Sequence, residues 1–195
     1  MSLALGPAAL FSLVASAEPA LIDAAAQAVV ERTRTTTATY SVYHWDWVRV
    51  SDGEPYVLWS AEFHRGTLHR VETPFSRAVA DCAAGTGRLV ILATGETQTG
   101  AAVARSACGI DANEAVTSLE LARQGDSPFG PAETVRLFAG GKERIYVVDR
   151  EGVLLAAEIF ATADGDSECL QSAPIAVERS VPEGDIFSED SLAYS

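Results

Sequence analysis

Three histidines and two acids are the residues of this chain that could do acid/base chemistry: His44, His64 and His69, with Asp46 and Glu62 among them. A turn at Arg65-Gly66 would fold the segment ending at His64 back onto residues 68–71, placing Glu62 across from His69. A carboxylate beside an imidazole is an acid/base pair if it opens on a cleft, and a salt bridge if it does not. Asp46 and Glu62 fall in neighbouring segments, and glycoside hydrolysis would require both on one cleft at a controlled separation. The histidine spacing matches no zinc motif. The oxygen-rich turn 164–168 lacks the ligand spacing of an EF-hand. Gly85-Thr86-Gly87 is an incomplete dinucleotide fingerprint, no Walker A stretch occurs, and the serines form no nucleophile elbow. No catalytic residue, metal or cofactor is assigned on this pattern. Solvent-facing structural roles are the simpler reading of these side chains.

The elements that must position them are strand-like. In residues 40–92, Tyr43, Trp45 and Trp47 share one side of a period-two segment, while Val57, Trp59, Ala61 and Phe63 share a side of the next. Large rings on one side of neighbouring strands must meet a helix, a second layer or an apolar ligand, because burying each is worth about 1.5–3 kcal/mol. Residues 18–34 have an apolar side at helical spacing, built from Leu21, Ile22, Ala25, Ala26, Val29 and Val30, and are expected to cover that aromatic face. A second helix is expected after Gly109, capped by Asp111 or Asn113. Residues 101–108 are either a strand or a helical fragment. From Glu133 onward, alternating segments separated by Gly- and Asp-containing turns predict antiparallel hairpins. The fold class is therefore α+β, a curved antiparallel sheet or half-open β-barrel covered by helices.

Composition narrows the function classes. The chain has 195 residues, 48% hydrophobic, and a formal net charge of −13, which disfavours nucleic acid and anionic membrane surfaces as partners. Residues 1–17 read as an export signal or N-terminal extension: an apolar run is followed by Ala15-Ser16-Ala17, although no basic residue precedes Arg32. That run is too short for a confident span, and no later segment supplies one. Residues 18–187 read as a single domain and 188–195 as an acidic, fraying tail. Cys82 and Cys108 would form a disulfide if their segments meet in an oxidising compartment, leaving Cys169 unpaired; two reduced buried thiols are the alternative. Phe129, in the Pro-Gly loop 127–131, is a candidate gate over an opening or an ordinary core anchor.

The order of these elements resembles the periplasmic lipoprotein-carrier superfamily that includes the LolA and LppX-like proteins. A helix precedes curved antiparallel strands and Gly-containing hairpins; late in the chain come Asp149-Arg150-Glu151-Gly152-Val153-Leu154 and the ending Val181-Pro182-Glu183-Gly184-Asp185-Ile186-Phe187. The resemblance implies a half-barrel closed by helices, with an apolar chamber that shields acyl chains in the periplasm. It would make Tyr43, Trp45, Trp47, Trp59 and Phe63 chamber-lining residues, and a lipid or an acylated protein the partner. Simple packing of these rings against the first helix, in a structural or interaction domain, is the competing expectation. A hydrolase built on the Glu62/His69 pair is the third.

Overall fold

In the computed structural model, which describes residues 20–49, 53–111, 116–163 and 166–193, the chain forms one twelve-stranded sheet and two helices. The strands in chain order are β1 (Leu21–Ile22), β2 (Tyr40–Arg49), β3 (Tyr56–Arg65), β4 (Leu68–Glu72), β5 (Ser76–Asp81), β6 (Thr86–Ile91) and β7 (Thr97–Thr99). They continue with β8 (Val116–Ser127), β9 (Gly130–Ala139), β10 (Lys142–Asp149), β11 (Leu154–Ala163) and β12 (Asp166–Glu178). The helices are α1 (Ala24–Thr35) and α2 (Ala101–Ala107). The sheet order is β1-β8-β9-β10-β11-β12-β2-β3-β4-β5-β6-β7. Every pairing is antiparallel except the parallel contact of β1 with β8, and β1 and β7 are its two edges.

Cross-strand register sorts the side chains onto two faces. Val135, Tyr146, Ala157, Ser172, Asp46 and Leu58 are successive partners across six strands, so they share a face. Both helices pack on it. Ala26, Val29 and Val30 of α1 join Leu119, Val135, Leu137, Ala139 and Val148 in the largest core cluster. Ala104 and Ala107 of α2 pack on Ala80 and Val71, and a Cβ added to Gly87 would meet Val103 and the Ala104 backbone at 3.0–3.1 Å. The Cys82–Cys108 disulfide fastens the end of α2 to the sheet, with Cα atoms 5.6 Å apart. Such a link is worth about 2–4 kcal/mol.

The sheet bends toward this helix-bearing face. Seven strand spacings separate β9 from β5, about 34 Å if the sheet were flat. Yet α1, on one half, touches the segment that leaves α2 on the other: the Ile110 N–H donates to Thr33 Oγ1 at 3.0 Å and Arg34 Nη1 donates to the Ile110 carbonyl at 3.2 Å. A Cβ on Gly109, whose φ is +69°, would fall 2.7 Å from the Thr33 carbonyl oxygen. Only glycine permits both that backbone conformation and that approach.

Several expectations are corrected. Helix α1 begins at Ala24, capped by Asp23 Oδ1 accepting from the Ala25 N–H at 2.8 Å. Leu21 and Ile22 precede it as an exposed edge strand, because Asp23 caps the helix start; residues 18–19 of the expected helix lie outside the described residues. The helix expected after Gly109 is instead β8, where the ladder with β9 outweighs the weak helical pattern of Val116 and Leu119; residues 112–115 lie outside the described region. The helix falls earlier, at Ala101–Ala107, in the interval that local pattern left open between strand and helix. Within the tail expected from Ser188 onward, Ser188 Oγ accepts from the Ser191 N–H, Glu189–Leu192 form a 3-10 turn and Leu192 is buried, while residues 194–195 lie outside the described residues. The expected leader, residues 1–17, lies outside the described residues. No helix among the described residues is long and apolar enough to cross a membrane.

Candidate functional site

The aromatic row does not lie under α1. Trp47 pairs with Gln171 on one side and Val57 on the other, and Gln171 pairs with Glu158 and then Ile145. This register sits between the residues of the helix-bearing face, so the row belongs to the opposite, outer face. Trp45, Trp47 and Trp59 are 46%, 44% and 42% exposed, and Val57 is exposed beside them. Trp45 stands directly across from Trp59. The expected cover by α1 fails because the helix meets β8 and β9, on the other side of the sheet.

The two other expected pocket residues are covered. Tyr43 and Phe63 meet edge to face with centroids 5.9 Å apart. Phe187 seals them, packing with Ala61, Phe63, Tyr43, Leu68 and Ile186, while the Arg65 guanidinium lies 5.0 Å from its ring centroid. Arg70 holds this terminal strap in place: its Nη1 donates to the Ile186 carbonyl and to Ser191 Oγ, each at 2.6 Å. Hence the C-terminal segment covers one end of the aromatic row and leaves the tryptophans open.

On the open side of Trp45 and Trp47 runs β12. Ala173 lies opposite Trp45, Gln171 opposite Trp47 and Cys169 opposite Arg49. The Gln171 amide donates to Glu158 Oε1 at 3.4 Å, on the side away from Trp47. Large indoles on β2 stand beside Ala173, Gln171 and Cys169 on β12, the two small residues flanking the Gln171 amide, and at the Arg49 end of this trough lies a cavity of about 410 Å³ lined by Trp47, Val48, Arg49, Pro55, Cys169 and Gln171. That volume is in the range of small-molecule sites, roughly 300–1,000 Å³. Cys169 is a free thiol.

The helix-bearing face carries the residues that looked chemical. All three histidines converge there and are buried, at 3% for His44 and 2% for His64 and His69. His64 and His69 are direct cross-strand partners with ring centroids 5.4 Å apart, and Tyr40 stacks on His64 at 5.1 Å. His64 Nδ1 lies 2.7 Å from the Ala38 carbonyl and His44 Nε2 lies 3.1 Å from that of Leu155. The expected Glu62/His69 pair forms: His69 Nε2 is 3.6 Å from Glu62 Oε2, beyond a good hydrogen bond but within ion-pair range, and that nitrogen has no other partner. Burial opposes ionisation of Glu62, but contact with His69 and the charges of His69, His44 and His64 outweigh it and hold the carboxyl below its ordinary range. Burial pushes the His64 imidazole down, helped by the charge of His69 and opposed by the Ala38 carbonyl and Glu62. Burial likewise raises Tyr40, with Glu62 and Asp149 adding to the effect and Arg179 opposing it.

This arrangement is a buried polar network rather than a cleft. Among the described residues, no group of three or more His, Cys, Asp or Glu side chains is placed to hold a metal ion. Asp46 and Glu62 share the face, but Glu62 pairs with Val42, four residues from Asp46 and so about 13 Å along the strand. Glycosidase carboxyls stand roughly 5–9.5 Å apart, so this pair is not one. Phe129, in the β8–β9 turn, packs half-buried against a cluster of Tyr40, Val42, Val153 and Leu155 on the helix-bearing face. Arg49 and Ala173 escaped the sequence reading, and Cys169 entered it only as the unpaired cysteine. Arg49 continues the odd-numbered row of Trp45 and Trp47, a local signal that was available; the pairing of β2 with β12, more than a hundred residues apart, was not.

No family model matches the chain, and no curated protein sequence matches it. Solved structures do match in shape. The chain is similar to a LolA superfamily protein from Nitrosomonas europaea, at 10% identity and a TM-score of 0.42, over 86% of this chain and 99% of that one. It is similar to a conserved protein from Thermus thermophilus, at 14% identity and a TM-score of 0.49, over 88% of this chain and 94% of that one. It is also similar to PNGF-II, at 7% identity and a TM-score of 0.50, over 76% of this chain but only 29% of that one, a likeness of fold alone.

Proposed function

We propose that this is a non-enzymatic binding protein for an apolar molecule of the lipid or acyl class, acting outside the cytoplasm, and that the ligand is held on the outer tryptophan face. One observation carries the reading: Trp45, Trp47, Trp59 and Val57 stand half-exposed side by side and run into a cavity of about 410 Å³. A contiguous aromatic surface left open to water is costly unless something covers it. Each methylene removed from water there contributes about 0.8 kcal/mol before the costs of binding. The Cys82–Cys108 disulfide supports an oxidising compartment such as the periplasm. Phe129 is then a core anchor and not a gate. The Glu62/His69 pair is too enclosed to receive a substrate, which disfavours a hydrolase.

The test is native mass spectrometry of protein purified from an oxidising compartment, followed by denaturation and extraction. A reproducible lipid mass released on denaturation is the expected result. Fresh protein with no bound mass, and no uptake from a mixed lipid pool, would overturn the reading. A protein-interaction domain is the second reading, favoured by the packing of Phe129 against Tyr40, Val42, Val153 and Leu155 on the helix-bearing face.

A further inference from the structure

The geometry points to a more specific ligand for this trough: an unbranched long-chain fatty acid, its carboxylate on Arg49 and its alkyl chain lying over β12 against Trp47 and Trp45. This rests on the apolar-binding reading above and adds the headgroup and the chain length.

The headgroup follows from charge. The chain carries 27 acidic residues against 14 Lys and Arg, and several of its arginines are engaged by carboxylates. Arg32 pairs with Glu133, Arg88 with Glu189, Arg136 with Glu120 and Glu143, and Arg179 with Asp149 and Glu151. Arg49 is exposed, lines the cavity and has no carboxylate partner among the described residues. A guanidinium at the end of an apolar trough matches a planar carboxylate, which it can grip with two parallel hydrogen bonds. A net charge of −13 repels an anion at long range, but salt screens that field over about 8 Å at physiological strength, leaving the local cation to select the head.

The length follows from the strand. Arg49, Trp47, Trp45 and Tyr43 occupy alternate positions of β2, so the row spans six residues, about 20 Å at ~3.4 Å each. An extended alkyl chain advances about 1.25 Å per carbon, the projection of a ~1.5 Å bond on its axis. The row therefore accommodates about 16 carbons before reaching the Tyr43 end, where Phe187 and Ile186 close the face. Ala173 and Cys169 leave room on the floor that larger residues would fill.

The experiment compares palmitate with hexadecan-1-ol, which has the same chain without the charge, each delivered from cyclodextrin at 0.15 M salt and followed by tryptophan fluorescence. Both should bind, with palmitate about fivefold tighter, the scale of a solvent-exposed ion pair. Arg49→Gln should erase that preference, so that palmitate and hexadecanol bind the variant with equal affinity. Because Cys82 and Cys108 are joined, Cys169 is the only free thiol of three, and bound palmitate should slow its alkylation by a neutral maleimide. Equal affinities in the wild type, a preference that survives Arg49→Gln, or unprotected Cys169 with palmitate bound would each overturn the fatty-acid assignment and leave apolar binding standing. Failure of both ligands to bind would overturn the apolar-binding reading itself.

Discussion

The two faces of the sheet are made by the same strands and the same alternation, yet they spend their side chains in opposite ways. On β2, Tyr40, Val42 and His44 point to the helix-bearing face and are buried, while Trp45 and Trp47, from the same strand, stand half-exposed on the outer face. Residue type does not decide this: histidines are inside and tryptophans outside. What decides it is which face receives a covering element. Helices α1 and α2 and the β8–β9 turn all fold to one side, so polar groups there are paired and enclosed, and the apolar rings opposite are covered only where the C-terminal strap reaches. A face that keeps costly polar groups buried is built for stability. Its counterpart, leaving costly apolar groups exposed, is built to be covered by something else.

The largest expected effect tests the enclosed face. Leu137 is fully buried against α1, and Leu137→Ala leaves a cavity where neither the helix nor the sheet can relax fully. The expected loss is about 2–5 kcal/mol, the range for such truncations. It is checked by the midpoint of urea unfolding at constant slope. A loss below about 1 kcal/mol would mean that α1 is not anchored on β8 and β9 as described.

How much of this was legible beforehand differs between the faces. Period-two alternation located the aromatic row, and the Arg65-Gly66 turn placed Glu62 near His69, because hairpin register is a local property. The Cys82–Cys108 link was likewise one of the two states readable from residue type and position. Which face the helices cover was not. That depends on α1 crossing to β8 and β9, roughly a hundred residues later in the chain, and an amphipathic stripe says only that a helix has a partner. The α1 stripe and the tryptophan row each needed an apolar neighbour, and pairing them with each other was the economical inference. The trough escaped for the same reason: Arg49 gains its meaning from Cys169 and Trp47 only once β12 pairs with β2.

A smaller effect should come from pH, again on the enclosed face. The His64 imidazole is held below its ordinary pKa in the folded protein, chiefly by burial and then by the charge of His69. The folded state therefore binds fewer protons than the unfolded chain near pH 6.5. Its contribution to stability is full above that value and is lost as pH falls toward the folded pKa. Glu62, also lowered, acts in the same direction but in a lower window, its contribution present above about pH 4.5 and lost below. Between pH 7.5 and 5.5 the urea midpoint should thus fall, with a slope of at most about 1.4 kcal/mol per pH unit for one histidine. His64→Asn retains a donor toward the Ala38 carbonyl but cannot take up the proton, and should flatten that slope. An unchanged slope would assign the titration elsewhere.

The smallest change in stability should come from the outer face, where it carries the most information. Trp45→Ala removes a large ring, which in a core would cost about 3–5 kcal/mol. Here the ring is 46% exposed, sits across from Trp59 and is not overlain by the Phe187 strap. Its loss should therefore shift the unfolding free energy by no more than about 1 kcal/mol, the scale of one cross-strand pair. The same substitution should weaken uptake of an alkyl ligand at least tenfold, because the trough loses one of the two indoles that form its wall. Measuring both quantities on one variant separates the alternatives: a large stability loss would return Trp45 to the core, and unchanged uptake would remove it from the binding face. Near-native stability with impaired binding is what distinguishes a surface meant to be covered by a ligand from one that merely lacks a helix.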